Sequence, residues 1–355
     1  MTNAKLYARP IGLLYGAAAT AAIADGVALP LAGGAIAFTL AELIEGVPGR
    51  TKTGRFTAHA LAGSTDPDLA ALLARITAKR DPFAGLDFDR PILMGIVNVT
   101  PDSFSDGGLF DSKEAAIAHA AELATAGAGI VDIGGESTRP GSDSVEAAAE
   151  AARVVPVLQG LAGFRAVISV DTRKASVARA GAEAGAQILN DVSALTYDPK
   201  SVRVAAEAGL SVVLMHAQGD PKTMQDNPRY GDVVLEVFDY LEARIAAAMD
   251  AGVERSRIAA DPGIGFGKTL AHNLALLSHT TLFHGLGVPL LIGASRKRFI
   301  QGLSGGAEPR SREPGSYAAS ISAAAQGAQI LRVHDVAGAA QALSVWRASV
   351  IGSED

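Results

Sequence analysis

The chain has 355 residues, 48% of them hydrophobic, with 39 glycines and a formal net charge of −6. That length holds one large α/β domain and a small companion, and the acidic balance argues against a nucleic-acid partner, which would need a basic face. Cysteine is absent, so there is no disulfide framework, thiolate nucleophile or Cys-based zinc site, as fits a reducing cytoplasm.

The N-terminal stretch "MTNAKLYARPIGLLYGAAATAAIADG" sets Lys5 and Arg9 ahead of an apolar run, and Ala22-Ile23-Ala24 imitates a signal-peptidase site. A strand and helix of a small lobe are the favoured reading. "VALPLAGGAIAFTLAELIEG" continues in the same style, and Asp25, Pro30 and the glycines interrupt any span near the ~20 apolar residues of a membrane helix. "STDPDLAALLARITAKRDPFAGLDFDRP" then reads as a helix and a Pro-punctuated connection. A boundary is expected near Pro82 to Asp87, dividing the chain into an α/β extension, 1–84, and a domain, 85–355.

From Ile92 a pattern repeats: an apolar run rich in Val and Ile, a polar or Gly-bearing end, and an Ala-rich amphipathic stretch. The runs are "ILMGIVNV", "GIVDIGG", "AVISVDT", "QILNDVS", "SVVLMHA", "RIAADPGIG", "PLLIGAS" and "QILRVHDV". Near-continuous apolar runs indicate strands buried on both faces, as parallel strands are. Eight such units predict a (β/α)8 TIM barrel, with an open doubly wound sheet as the competitor.

In a barrel the carboxyl ends of the strands carry function. Here they bear Asn98, Asp132 with Glu136, Asp171, Asn190 with Asp191, His216, Asp261, Ser295 with Lys297, and Arg332 with His334. One charged strand end is ordinarily a structural hydrogen bond, but eight polar ends on one rim are costly unless a ligand meets them. The loop "NVTPDSFSDGG" after the first run is expected to close over that ligand. Several motif readings fail. "GIGFGKT" would need glycine at Pro262 for a P-loop and at Lys268 for a dinucleotide fingerprint. "GASRK" would need glycine at Lys297 for a nucleophile elbow, and the seven histidines lack zinc spacing.

"GIVNVTPDSFSDGG", "DIGGESTRPG", "SVDTRK", "ILNDVS", "DPGIGFGKT", "GASRK" and "RVHDV", in this order, resemble dihydropteroate synthase from about Arg90 to Val350. The resemblance implies a barrel that dimerises and a transferase of folate biosynthesis. Such an enzyme joins 6-hydroxymethyl-7,8-dihydropterin pyrophosphate to para-aminobenzoate, is a sulfonamide target and binds Mg²⁺. It implies that Asp171, Asn190 and Asp261 read the pterin edge, with Met215 and Phe266 as apolar walls. Lys297 would reach the ring carbonyl and the arriving amine. Arg332 and His334, on the same side of the last strand, would hold pyrophosphate, and Asn98 would offer its amide oxygen to Mg²⁺. Asp102, Phe104 and Ser105 would shield the reacting carbon, while Thr138, Arg139 and Pro140 would orient the benzoate. Structural alternatives are a pair of Asp171 with Arg173 or Lys174, a loop cap by Asp261, and an ion pair of Arg332 and His334 with Asp335. The chain departs from the common family pattern at Arg298, where relatives often have Ser. A folate-binding methyltransferase domain and a catalytically silent pterin-binding paralogue are the rival functions.

Overall fold

The computed structural model describes residues 5–47, 49–100, 109–137, 142–219, 222–306 and 308–352. The extension contains β1 (Lys5–Tyr15), α1 (Gly16–Ala24), β2 (Leu29–Pro30), β3 (Ile36–Val47), β4 (Arg50–Thr57), α2 (Ala58–Ala62) and α3 (Pro67–Thr77). β3 is the central strand and pairs antiparallel with β1, β2 and β4. The α3 helix starts where the sequence signals it. Asp66 accepts from the backbone N–H groups of Asp68 at 2.9 Å and Leu69 at 3.3 Å, with Pro67 in the first turn. Its apolar stripe, Leu69, Leu72, Leu73 and Ile76, packs with Phe38, Ala41 and Leu61 into a core of the lobe's own.

All eight expected strands then form: β5 (Ile92–Asn98), β6 (Ala128–Gly134), β7 (Val167–Asp171), β8 (Ile188–Asp191), β9 (Ser211–Met215), β10 (Ile258–Asp261), β11 (Leu291–Ile292) and β12 (Ile330–Val333). They are parallel, in the order β10-β9-β8-β7-β6-β5-β12-β11, and a bridge between Ala260 and Leu290 joins the two ends. The connections carry the helices α4 (Leu109–Thr125), α5 (Ala147–Gly160), α6 (Ala175–Glu183), α7 (Ser201–Glu207), α8 (Val233–Asp250), α9 (Leu270–Ser278), α10 (Arg298–Ser304), α11 (Glu313–Ala325) and α12 (Val336–Val350). This is the expected TIM barrel rather than an open sheet. Its interior is packed with Ile92, Met94, Ile130, Val167, Ile188, Val213, Ala259, Leu291 and Ile330, contributed by every strand. Phe83, fully buried, joins this layer, so the Pro-punctuated connection plugs the amino-terminal mouth. The other mouth is left for chemistry.

The extension rests on the barrel's flank and floor. Tyr7 stacks edge-on against Phe238 of α8, and its hydroxyl donates to Asp239, while Lys5 pairs with Asp239 and Glu242. Arg75 and Arg80 donate to the backbone carbonyls of Gly285 and His284 in the 3-10 helix Thr280–Leu286. Among the described residues, no helix is long and apolar enough to cross a membrane.

Candidate active site

At the carboxyl ends of the strands lies a cavity of about 500 Å³. Asn98, Asp171, Phe266, Lys297, Arg332 and His334 line it, together with Glu136, Lys268, Ser295 and Arg298. Asn190, Met215 and Asp261 lie on adjacent strand ends, buried below its surface. Asp261 is approached past Gly293: a Cβ there would stand 3.8 Å from both its Oδ2 and the Arg332 Cβ. Gly293, which lines the cavity, thus lies within van der Waals reach of the carboxylate. The expected residues Asp102, Phe104, Ser105, Thr138, Arg139 and Pro140 lie outside the described residues.

The cavity's polar floor is one connected network. Arg332 donates through Nε to Asp132 Oδ2 at 2.7 Å and through Nη2 to Asp171 Oδ2 at 2.8 Å. Asn190 Nδ2 donates to the same Asp132 oxygen at 2.9 Å. Three strand ends are thereby locked to a fourth. The pairing of Asp171 with Arg173 or Lys174, one structural alternative, does not occur. Those cations bind Glu136 at 3.0 Å each, and Lys174 also pairs with Glu150. Nor does Asp335 pair with Arg332 or His334. It caps α12 through the Gly338 N–H and accepts from the Tyr317 hydroxyl. His334 Nδ1 meets Ser295 Oγ at 3.0 Å, which ties the end of β12 to the turn after β11. The loop-cap alternative for Asp261 is realised on one oxygen: Oδ1 accepts from Gly263 N–H at 2.7 Å.

Burial sets the charges. It pushes Asp261 up to about 6, against the Gly263 hydrogen bond and the attraction of Lys297. Burial also pushes Asp171 upward, with Arg332 pulling it back and Asp132 pushing the same way as burial. Lys297 stands over the Phe266 ring, its Nζ 3.9 Å from the centroid. Its aim comes from a strained turn. Arg296 adopts φ of +58°, held by an ion pair with Glu313, by Ser316 Oγ accepting from its N–H at 2.9 Å, and by Arg312 donating to its carbonyl at 3.0 Å. A concave wall with paired carboxylates, a forward cation and an aromatic face suits a flat heterocycle with adjacent N–H donors and an anionic tail.

The Pterin binding enzyme family matches residues 94–334. Dihydropteroate synthase from Escherichia coli (strain K12) is 48% identical over 272 residues, covering 76% of this chain and 95% of that protein. The chain belongs to the dihydropteroate synthase family. Among solved structures, Xanthomonas albilineans dihydropteroate synthase with 4-aminobenzoic acid is 49% identical, with a TM-score of 0.71 over 76% of this chain and 97% of that one. The Yersinia pestis dihydropteroate synthase in a sulfonamide drug complex is 46% identical, with a TM-score of 0.71 over 74% and 96%.

Within the dihydropteroate synthase framework, sequence reasoning left several supporting residues without a partner. Asp132 and Glu136 stood out as strand ends, but their partners Arg332 and Arg173 are 200 and 37 residues away. Glu136 also accepts from Val145 N–H at 2.8 Å. Arg296 stands out in the sequence only as part of "GASRK", and Lys268 only as the residue that breaks a dinucleotide fingerprint.

Proposed function

We propose that the chain condenses 6-hydroxymethyl-7,8-dihydropterin pyrophosphate with para-aminobenzoate, giving 7,8-dihydropteroate and pyrophosphate. The observation that carries this reading is the convergence of Asp171, Phe266, Lys297, Arg332, His334 and Asn98 on one cavity in a member of this family. Asp261 and Asn190 present acceptors to the 2-amino-4-oxo edge, and Asp171 completes the set on β7. Phe266 and Met215 flank the ring, and Lys297 donates to its carbonyl side. Arg332 and His334 take the pyrophosphate. The methylene C–O bond breaks toward pyrophosphate, the amine nitrogen bonds to the methylene carbon, and the nitrogen sheds one proton. An aniline is neutral near pH 7, so the step needs no strong base. The protein's work is to stabilise the departing anion and exclude water. The resemblance gives Asp102 and Phe104 the shielding, and Thr138, Arg139 and Pro140 the benzoate.

Mg²⁺ fits the donors present. Among the described residues no three His, Asp or Glu gather into a metal cluster, but Asn98, whose side chain carries an amide oxygen, lines the cavity. One such ligand plus phosphate oxygens and water is a set that suits Mg²⁺. Bound there, the ion would neutralise charge developing on the leaving group. We place the enzyme in the cytoplasm as a homodimer. The test is pyrophosphate release by the purified chain. It should require both substrates, and a sulfonamide should raise the KM for para-aminobenzoate. Pterin binding without turnover would mark a silent paralogue. Methyl transfer to or from a folate instead would mark the methyltransferase reading.

A further inference from the structure

Lys268 is a buried cation that the reaction does not use. It is 3% exposed, and among the described residues its ammonium meets only neutral acceptors within hydrogen-bond distance. Nζ donates to the Phe266 carbonyl at 2.9 Å and the His216 carbonyl at 3.3 Å, and stands 2.9 Å from His216 Nδ1. Burial holds His216 down at about 2, with Lys268 adding to the effect, so its ring is neutral and Nδ1 is free to accept. That ring packs against Tyr240 and Tyr230, at centroid distances of 4.9 and 6.0 Å.

A buried ammonium hydrogen-bonded to neutral acceptors rather than paired directly with a carboxylate is costly to keep, so its contacts must bring a gain. The gain lies in the loop after β10. Gly263 adopts φ of +69° and runs so close to the His216 carbonyl that a Cβ would come within 1.9 Å of that oxygen. Gln225 donates to the Gly265 carbonyl at 2.7 Å, and Tyr230 donates to that of Gly267 at 2.9 Å. These bonds tether the loop from its outer side. Lys268 reaches back beneath it, and the two carbonyls it takes come from the loop itself and from the neighbouring end of β9. Burial draws the ammonium down to about 7, with Asp261 opposing the shift and Lys297 reinforcing it.

We propose that Lys268 is a positioning residue for the pterin end of the cavity: by joining the His216 and Phe266 carbonyls, it fixes the loop that sets the Phe266 ring under Lys297. This rests on the reading of Phe266 as a wall of the pterin pocket. The experiment is a double-mutant cycle of Lys268→Met and Phe266→Ala in the full chain. The readouts are 6-hydroxymethylpterin affinity by calorimetry and the KM for each substrate. Lys268→Met should weaken pterin binding about tenfold and raise the KM for the pterin pyrophosphate, while the KM for para-aminobenzoate stays put. The double variant should lose little more than the weaker-binding single variant, because both changes spoil the same wall. Lys268→Gln keeps a donor in place and should recover part of the loss. It enters the same cycle, so a poorly folding Met variant leaves the answer intact. Wild-type pterin affinity in both Lys268 variants, multiplying losses, or equal rises in the two KM values would overturn the role of Lys268. Unchanged pterin affinity in Phe266→Ala alone would instead overturn the wall assignment beneath it.

Discussion

Arg332 serves two carboxylates at once, and that decides what its loss would do. Removing the guanidinium leaves Asp132, wholly buried, and Asp171, nearly so, facing each other without a counter-ion. Breaking such a buried pair costs about 3–5 kcal/mol. Arg332→Ala should therefore lower the unfolding temperature as well as weaken pyrophosphate binding, whereas Asn98→Ala should affect only the Mg²⁺-dependent step. Thermal unfolding of the two variants checks this, and an unshifted Arg332→Ala would refute it. Asp261 supports a second prediction. Pterin N–H donors need its ionised form, and its carboxyl takes up a proton below about 6. Pterin affinity should then fall as the pH drops through 6, approaching tenfold per pH unit. Calorimetry from pH 5 to 8 on wild type and Asp261→Asn tests it, with the variant expected to bind weakly and to lack that acid limb.

The turn between β11 and α10 shows how an element aims a side chain. Arg296 sits in a left-handed conformation, and Glu313, Ser316 and Arg312 hold it there, so Lys297 follows in one direction only. Glu313→Ala should let the turn relax and misplace Lys297, lowering kcat/KM about ten- to a hundredfold with pyrophosphate affinity retained. Steady-state kinetics beside pyrophosphate titration separates the two effects. The strands were legible in the sequence because eight apolar runs with polar ends admit few arrangements. The rim residues were legible for the same reason. Their pairing was not: Asp171 has Arg173 and Lys174 as chain neighbours, yet its partner is Arg332, brought beside it by barrel closure. The β4 strand was equally hidden, because "RTKTGRFT" is largely exposed and lacks an apolar alternation to announce it. The role of Lys268 is hidden in the sequence because two of its partners are backbone carbonyls, which carry no sequence signal, and the third, His216, is 52 residues away.

Over the whole molecule, the extension and the cavity are far apart in role. The extension covers Phe238 and Phe283, both essentially buried, and binds the floor-side backbone at His284 and Gly285. Phe83, by contrast, belongs to the barrel's own plug. A chain starting at Asp81 should therefore keep the catalytic efficiency of the full chain for both substrates but unfold at lower temperature. A folded, inactive truncation would mean that the extension reaches the active site. His284 adds a pH signature to this junction. Burial lowers it from 6.5 to about 3, so it stays neutral when folded and gains a proton on unfolding. Its share of stability is complete above 6.5 and is lost progressively as the pH falls toward 3. The central claim is that the carboxyl-end cavity seats pterin and pyrophosphate side by side. The most direct test is a crystal structure of the full chain with 6-hydroxymethylpterin, Mg²⁺ and pyrophosphate. The pterin edge should lie on Asp261, Asn190 and Asp171, and the anion against Arg332 and His334. Density for either ligand outside that cavity, with these five side chains uncontacted, would contradict it.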